Sequence, residues 1–242
     1  MKKLSALLAI LAALCAFAEE LPLDEFMKFA RNPNAIATYA ALEGTVQHQR
    51  RGAELQNNTI YFAMLITPDR LTGQVIIGDK EGYAIGQSRK VGNYTTTVLP
   101  MPNSDKQNRL GYMGLRAADL AMGFLFYPVV RELPGEQVSV VPCRVVLLEA
   151  PDKSEQVKVY IARKHYFPLK AEFFNKGKPL DGMPDRTLET TSFEKKNNLY
   201  YTKTIKLSGP GWRTRVEFDS AKADINELES TNPPLIMRKL EK

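Results

Sequence analysis

The sequence carries little of what catalysis or metal binding needs. Its 242 residues include two histidines, His48 and His165, and two cysteines, Cys15 and Cys143. Neither histidine has H-E-x-x-H spacing, and no C-x-x-C is present, so these zinc and thiol-redox motifs are absent. There is no G-x-S-x-G elbow to present a serine nucleophile. Glycine-rich phosphate loops are also missing, because Gly209-Pro210-Gly211 is turn chemistry. The paired carboxylates Glu19-Glu20 fall where solvation is the default. His48, in Gln47-His48-Gln49, is expected to be exposed at a strand tip, and His165 is expected in a turn. The chain is therefore read as no enzyme, with no metal and no cofactor.

Long apolar runs are scarce too. Lys2 and Lys3 precede the apolar stretch Leu4–Phe17, and Ala16-Phe17-Ala18 is a small-x-small cleavage site, so residues 1–18 read as a secretory signal peptide cut after Ala18. No later segment approaches the roughly 20 apolar residues that a membrane-spanning helix needs. Cys15 follows Leu14, which is not the small residue that lipid attachment at a lipobox wants. Cleavage removes Cys15 and leaves Cys143 alone, which excludes an internal disulfide. Cys143 sits in the apolar run Val138–Leu148 and reads as a buried structural cysteine. Stability then rests on a hydrophobic core, which a chain of this length can build as one domain, residues 19–242.

Charge is mild. The whole chain carries +6, and without Lys2 and Lys3 the 31 remaining basic residues stand against 27 acidic ones, a net +4. Basic residues are scattered along the strands, with no stripe of interleaved aromatics, so nucleic acid is excluded as a partner.

What the sequence does contain is a succession of β-type segments. Leu23–Ala30 reads as a short amphipathic helix, stopped by Asn32-Pro33-Asn34. Strands are predicted at Ala35–Gln49, Thr59–Thr67, Leu71–Ile77, Tyr83–Gln87 and Tyr94–Leu99. After a polar loop, Pro102 to Arg109, the nearly all-apolar stretch Leu115–Tyr127 is predicted to be one buried helix, ended by Pro128. Leu133-Pro134-Gly135 is expected to turn the chain. Strands resume at Ser139–Leu148, Gln156–Arg163, Lys170–Asn175, Leu188–Glu194, Leu199–Leu207 and Trp212–Asp219, and Asn226–Lys242 is expected to lie on the surface as a tail. In Trp212–Asp219 the alternation is clean, giving one buried face and one wet face. Ile60–Ile66 and Val141–Leu148 are apolar on both faces and need cover on both sides. Leu115–Tyr127 reads either as a plain core plug or as a lid over an apolar hollow.

Several blocks together suggest a family. They are Gly114-Leu115-Arg116-Ala117-Ala118-Asp119-Leu120, Arg131-Glu132-Leu133-Pro134-Gly135-Glu136, Pro142 to Glu149, Val157 to Ile161, Phe167 to Phe174 and Gly209 to Val216. Their ordered series, from about Ala41 to Asp219, resembles the LolA-like outer-membrane lipoprotein-sorting proteins. The resemblance implies a mainly β fold with some α: a strongly curved antiparallel sheet, an unclosed β-barrel, with helices covering its concave face. It implies a periplasmic monomer that shelters lipid or lipoprotein acyl chains, with an inner-membrane donor and an outer-membrane acceptor as protein partners. The alternative is an envelope sensor or interaction module that binds a lipoprotein or protein without transporting it. No residue is assigned to the family's cavity arginine. Phe62, Met64, Leu120, Met122, Phe124, Leu125 and Phe126 are the expected lipid-cavity residues, chosen because aromatic and methionine side chains adapt to irregular hydrocarbon.

Overall fold

The structure is a computed structural model that describes residues 21–31, 38–90, 93–197, 199–225 and 236–241. The expected signal peptide with Cys15, the helix stop Asn32-Pro33-Asn34 and most of the predicted tail lie outside the described residues.

Among the described residues, twelve strands form one antiparallel sheet in the order β5-β4-β3-β2-β1-β12-β11-β10-β9-β8-β7-β6. The first five are β1 (Thr38–Arg50), β2 (Gln56–Ile66), β3 (Arg70–Ile77), β4 (Glu81–Lys90) and β5 (Asn93–Pro100). The remaining seven are β6 (Val129–Val138), β7 (Val141–Glu149), β8 (Glu155–Ala162), β9 (Pro168–Asn175), β10 (Arg186–Lys196), β11 (Leu199–Gly209) and β12 (Trp212–Ile225). Every sequential pair except β5 and β6 is a meander neighbour, and β12 closes back on β1. The sheet is an unclosed barrel whose two edges are β5 and β6. The chain passes from one edge to the other through residues 101–128, and that passage fills the concave face.

Helix α1 (Leu23–Arg31) matches the predicted element and buries Phe26, Met27 and Ala30. Asp24 and Glu25 in its first turn, and Lys28 and Arg31 in its last, complement the helix dipole. The predicted helix Leu115–Tyr127 is not one helix. Residues 109–127 instead form α2 (Arg109–Tyr112), α3 (Ala117–Leu120) and a 3₁₀ turn, Gly123–Phe126. The breaks are Gly114 (φ 71°) and Met122 (φ 52°), both left-handed. A helix this short is marginal by itself, and the sheet supplies partners for its backbone that a continuous helix would not use.

Two further expectations are corrected. The Leu133-Pro134-Gly135 segment does not turn the chain. It lies inside β6, where the register slips between Leu133 and Glu136, and the turn falls at Ser139-Val140. β6 is an edge strand, so the missing N–H of Pro134 need break no ladder bond. His48 is not exposed; it is 1% accessible and its ring contacts Thr214. His165 does lie in an exposed turn.

Strands apolar on both sides are covered on both sides. In β2, Ile60 and Phe62 join the main core, while Tyr61 and Ala63 pack under Ile236 and Leu240 on the other face. The cover there is an extended segment, not a helix: Tyr61 donates its hydroxyl proton to the Ile236 carbonyl, and Asn103 holds the Leu240 carbonyl at 3.1 Å. In β7, Val146 and Leu148 face the main core, while Cys143 and Val145 form a smaller cluster with Tyr160. Cys143 is buried and unpaired, and burial pushes its thiol pKa up. At Gly44, where β1 bulges against β12, an added Cβ would lie 1.9 Å from the Glu217 carbonyl oxygen, so only glycine fits.

Candidate functional site

The site is the concave face and what fills it. The seven expected cavity residues all converge there. Phe62, Leu120, Phe124, Leu125 and Phe126 belong to the main core cluster, each no more than 6% exposed. Met64 and Met122 are half-buried and pack against it. The plug adds Leu110, Met113 and Leu115 to the same cluster. Phe124 meets Phe173 of β9 edge-on, with ring centroids 5.5 Å apart. The concave interior is thus occupied by the chain's own side chains. Hollows of about 560 Å³ and 310 Å³ open elsewhere, one at the β3–β4 end around Arg70 and Lys90, the other beside α2 at Tyr112 and Met113.

The plug is held by polar contacts at separate points rather than by a continuous helix. At its start, the Glu81 carboxylate, wholly buried, accepts from the backbone N–H of Arg109 at 2.6 Å and of Leu110 at 3.0 Å. Tyr83 donates to the same carboxylate, and burial together with that negative neighbour pushes the phenol up to about 12. Next, the Thr214 hydroxyl donates to the Met113 carbonyl at 2.5 Å. That hydroxyl has one proton, so it must accept from His48, whose Nδ1 lies 2.8 Å away. His48 therefore carries its proton on Nδ1, and Nε2 is buried without a partner among the described residues. Burial, aided by Arg50, lowers the His48 pKa.

In the middle of the plug, Arg116 reaches both oxygens of Glu155 at 2.7 and 2.9 Å. Tyr127 donates to Glu155 at 3.2 Å, and burial plus this carboxylate pushes Tyr127 up to about 12. Asp119 pairs with Arg186 of β10, both buried. At the end, Arg31 of α1 donates to the carbonyls of Leu125 at 2.8 Å and Tyr127 at 2.9 Å.

An aromatic and cationic rim closes the β5 side. The rings of Tyr94 and Phe126 meet at a tilt of 54° with centroids 5.4 Å apart, Arg31 lies over Tyr94 at 4.9 Å, and Arg89 lies 5.5 Å from the Phe126 ring centroid. Arg89 and Tyr94 are direct cross-strand partners. Burial lowers both arginines, Arg89 to about 10.

The seven expected residues lie together in the core of the concave face, whereas the polar groups around them were not among the expected residues. Arg89 fell beyond the predicted strand end at Gln87, and Arg186 just before the predicted start at Leu188. The signal was there in the period of two: Arg89 continues the inward set Ile85 and Gln87, and Arg186 precedes Leu188 and Thr190.

The comparisons agree with this architecture. A DUF1329 family protein from Desulfovibrio piger superposes with a TM-score of 0.63 at 12% identity, covering 83% of this chain and 92% of that one. A putative outer membrane lipoprotein-sorting protein domain from Vibrio parahaemolyticus gives 0.57 at 17% identity, covering 81% and 88%. A LolA superfamily protein from Nitrosomonas europaea gives 0.49 at 14% identity, covering 82% and 90%. No protein-family model and no curated protein sequence matches the chain. The chain shares the fold of the first two of these structures. Among the described residues no helix is long and apolar enough to cross a membrane.

Proposed function

We propose that this protein is a periplasmic binder and carrier of acyl chains, from lipids or lipoproteins, and that residues 109–127 occupy the binding space in the empty protein. The domain is residues 19–242, following a cleaved leader. One observation carries the reading: the concave face is filled by a segment of short turns, apolar toward the sheet and fixed by discrete polar contacts. Such a segment can be exchanged for other hydrocarbon without unravelling a strand.

Magnitudes bear on the number of chains. Burying a methylene contributes about 0.8 kcal/mol, so a chain of about 14 carbons contributes about 11 kcal/mol. Stripping the seven large apolar plug side chains (Leu110, Met113, Leu115, Leu120, Phe124, Leu125 and Phe126) into water costs about 10 to 20 kcal/mol at about 1.5–3 kcal/mol each. Two chains offset full displacement; one chain offsets partial displacement. A diacyl ligand is therefore favoured over a single chain.

The test is uptake of a fluorescent diacyl probe by delipidated protein, with native mass spectrometry of protein purified gently from its own envelope. Saturable uptake and a lipid adduct are expected. Failure of both abandons the reading and favours an interaction module that binds its partner on the outside.

A further inference from the structure

The rim of the concave face contains two half-buried cations, Arg31 and Arg89, with no carboxylate ion-pair partner among the described residues. Arg89 donates Nε to Gln87 at 3.1 Å, and Gln87 in turn donates to Thr96 at 3.3 Å. The two terminal nitrogens of Arg89 have no hydrogen-bond partner among the described residues, and no carboxylate there forms an ion pair with it. Arg31 donates to the carbonyls of Leu125 and Tyr127, and the Tyr94 phenol and, more weakly, Asp24 act on its charge. The arginines that are fully buried are matched: Arg144 pairs with Glu132, and Arg186 with Asp119.

An unmatched guanidinium in a partly desolvated place costs stability. Here the cost falls at one location. Arg89 stands opposite Tyr94 and over the ring of Phe126, Arg31 lies over the ring of Tyr94, and the two rings touch, with Phe126 buried in the core. Apolar space therefore ends at a positive rim. A guanidinium fork with free terminal N–H groups is suited to phosphate or carboxylate.

We propose that Arg89, with Arg31 beside it, binds an oxyanion, the phosphate or carboxylate at the head of the acyl-bearing ligand. This rests on the acyl-binding reading above. It adds selectivity: the tails occupy the space of the plug, and the charged head stays at the β5 rim against Arg89. A ligand with the same tails and no charge lacks that contact. Arg31 adds positive potential, while its hydrogen bonds remain with the plug.

The experiment is isothermal titration of the delipidated protein with three probes: dioctanoyl phosphatidate, dioctanoylglycerol and inorganic phosphate. The first two share their tails and differ in charge. Phosphatidate is expected to bind at least about tenfold more tightly than dioctanoylglycerol, consistent with a charge-assisted contact of about 1.5–3 kcal/mol. In R89Q the two lipids are expected to bind with equal affinity, and in R89K part of the difference is expected to remain. Equal affinity of the two lipids, or a preference that survives R89Q, overturns the headgroup site and leaves the acyl reading standing. Binding of neither lipid overturns both. Inorganic phosphate binding as tightly as phosphatidate shows a free-anion site and overturns the lipid source. Thermal unfolding separates a structural role: R89Q is expected to keep or raise Tm, because it removes a half-buried charge that has no ion-pair partner among the described residues. A lowered Tm with loss of both lipids means that Arg89 holds the fold, and it overturns the proposal.

Discussion

Asp119 and Arg186 lie 67 residues apart in sequence and form a buried ion pair that ties the plug to β10. Arg186 also sits 3.9 Å over the face of Phe173, the ring that Phe124 meets edge-on. Asp119 accepts in addition from the Arg116 backbone N–H at 3.3 Å. One carboxylate thus fixes both the start of α3 and its position on the sheet. Removing it strands a guanidinium in the core. D119N is expected to destabilise by about 3–5 kcal/mol. Replacing both partners with leucine is expected to recover most of that loss. Urea midpoints of the single and double variants decide this.

His48 gives the plug a dependence on pH. Its folded pKa is depressed by burial, with Arg50 adding to the effect. Below the unfolded value of about 6.5 the unfolded chain binds the proton more readily, so stability is full above that value and declines as pH falls beneath it. H48N, which offers Thr214 an amide donor, is expected to flatten this slope between about pH 6.5 and pH 5. Denaturant unfolding at stepped pH measures it. A wild-type slope equal to that of H48N would mean that His48 carries no linkage.

Gly114 lies against the single tryptophan of the chain. A Cβ there would fall 2.3 Å from the Trp212 ring, and φ is 71°. G114A is therefore expected to displace the ring and to lower Tm, combining a steric clash with left-handed strain of about 1–2 kcal/mol. Trp212 also reports on the plug. Its emission is expected to shift when an acyl ligand enters, and a steady emission through saturation would show that α2 and its following turn stay in place.

Phe124 should show opposite effects on stability and binding. F124A is expected to cost about 3–5 kcal/mol of stability, since the side chain is 2% exposed. The same loss lowers the cost of displacing the plug, so the diacyl probe is expected to bind more tightly, about tenfold for each 1.4 kcal/mol by which displacement becomes easier. Parallel titrations of wild type and F124A test this.

The apolar logic of the fold was legible in the residues. Alternation in β12, the two-sided greasiness of β2 and β7, and the convergence of Phe62 and Phe124 all follow from side-chain period and burial. Three features were not legible, for physical reasons. Pro134 looked like a turn because its tolerance on an edge strand depends on strand order, which is a tertiary property. Leu115–Tyr127 looked like one helix because its breaks are imposed by distant partners, Glu81, Arg186 and Arg31, that satisfy its backbone and fix its charges. His48 looked exposed because its burial depends on Tyr112 and Trp212, whose rings lie 5.3 and 6.1 Å from it. Local pattern reports which side chains want burial; it does not report which remote group will meet them.

Under the proposed function, incoming hydrocarbon takes the space now filled by residues 109–127. Hydrogen–deuterium exchange of delipidated protein, with and without saturating dimyristoyl phosphatidate, tests this. The expected result is faster exchange at the amides of Arg109, Leu110 and Leu125–Tyr127, with strands β2 and β9 unchanged or better protected. Full occupancy with unchanged protection across 109–127 would place the ligand elsewhere and contradict the account.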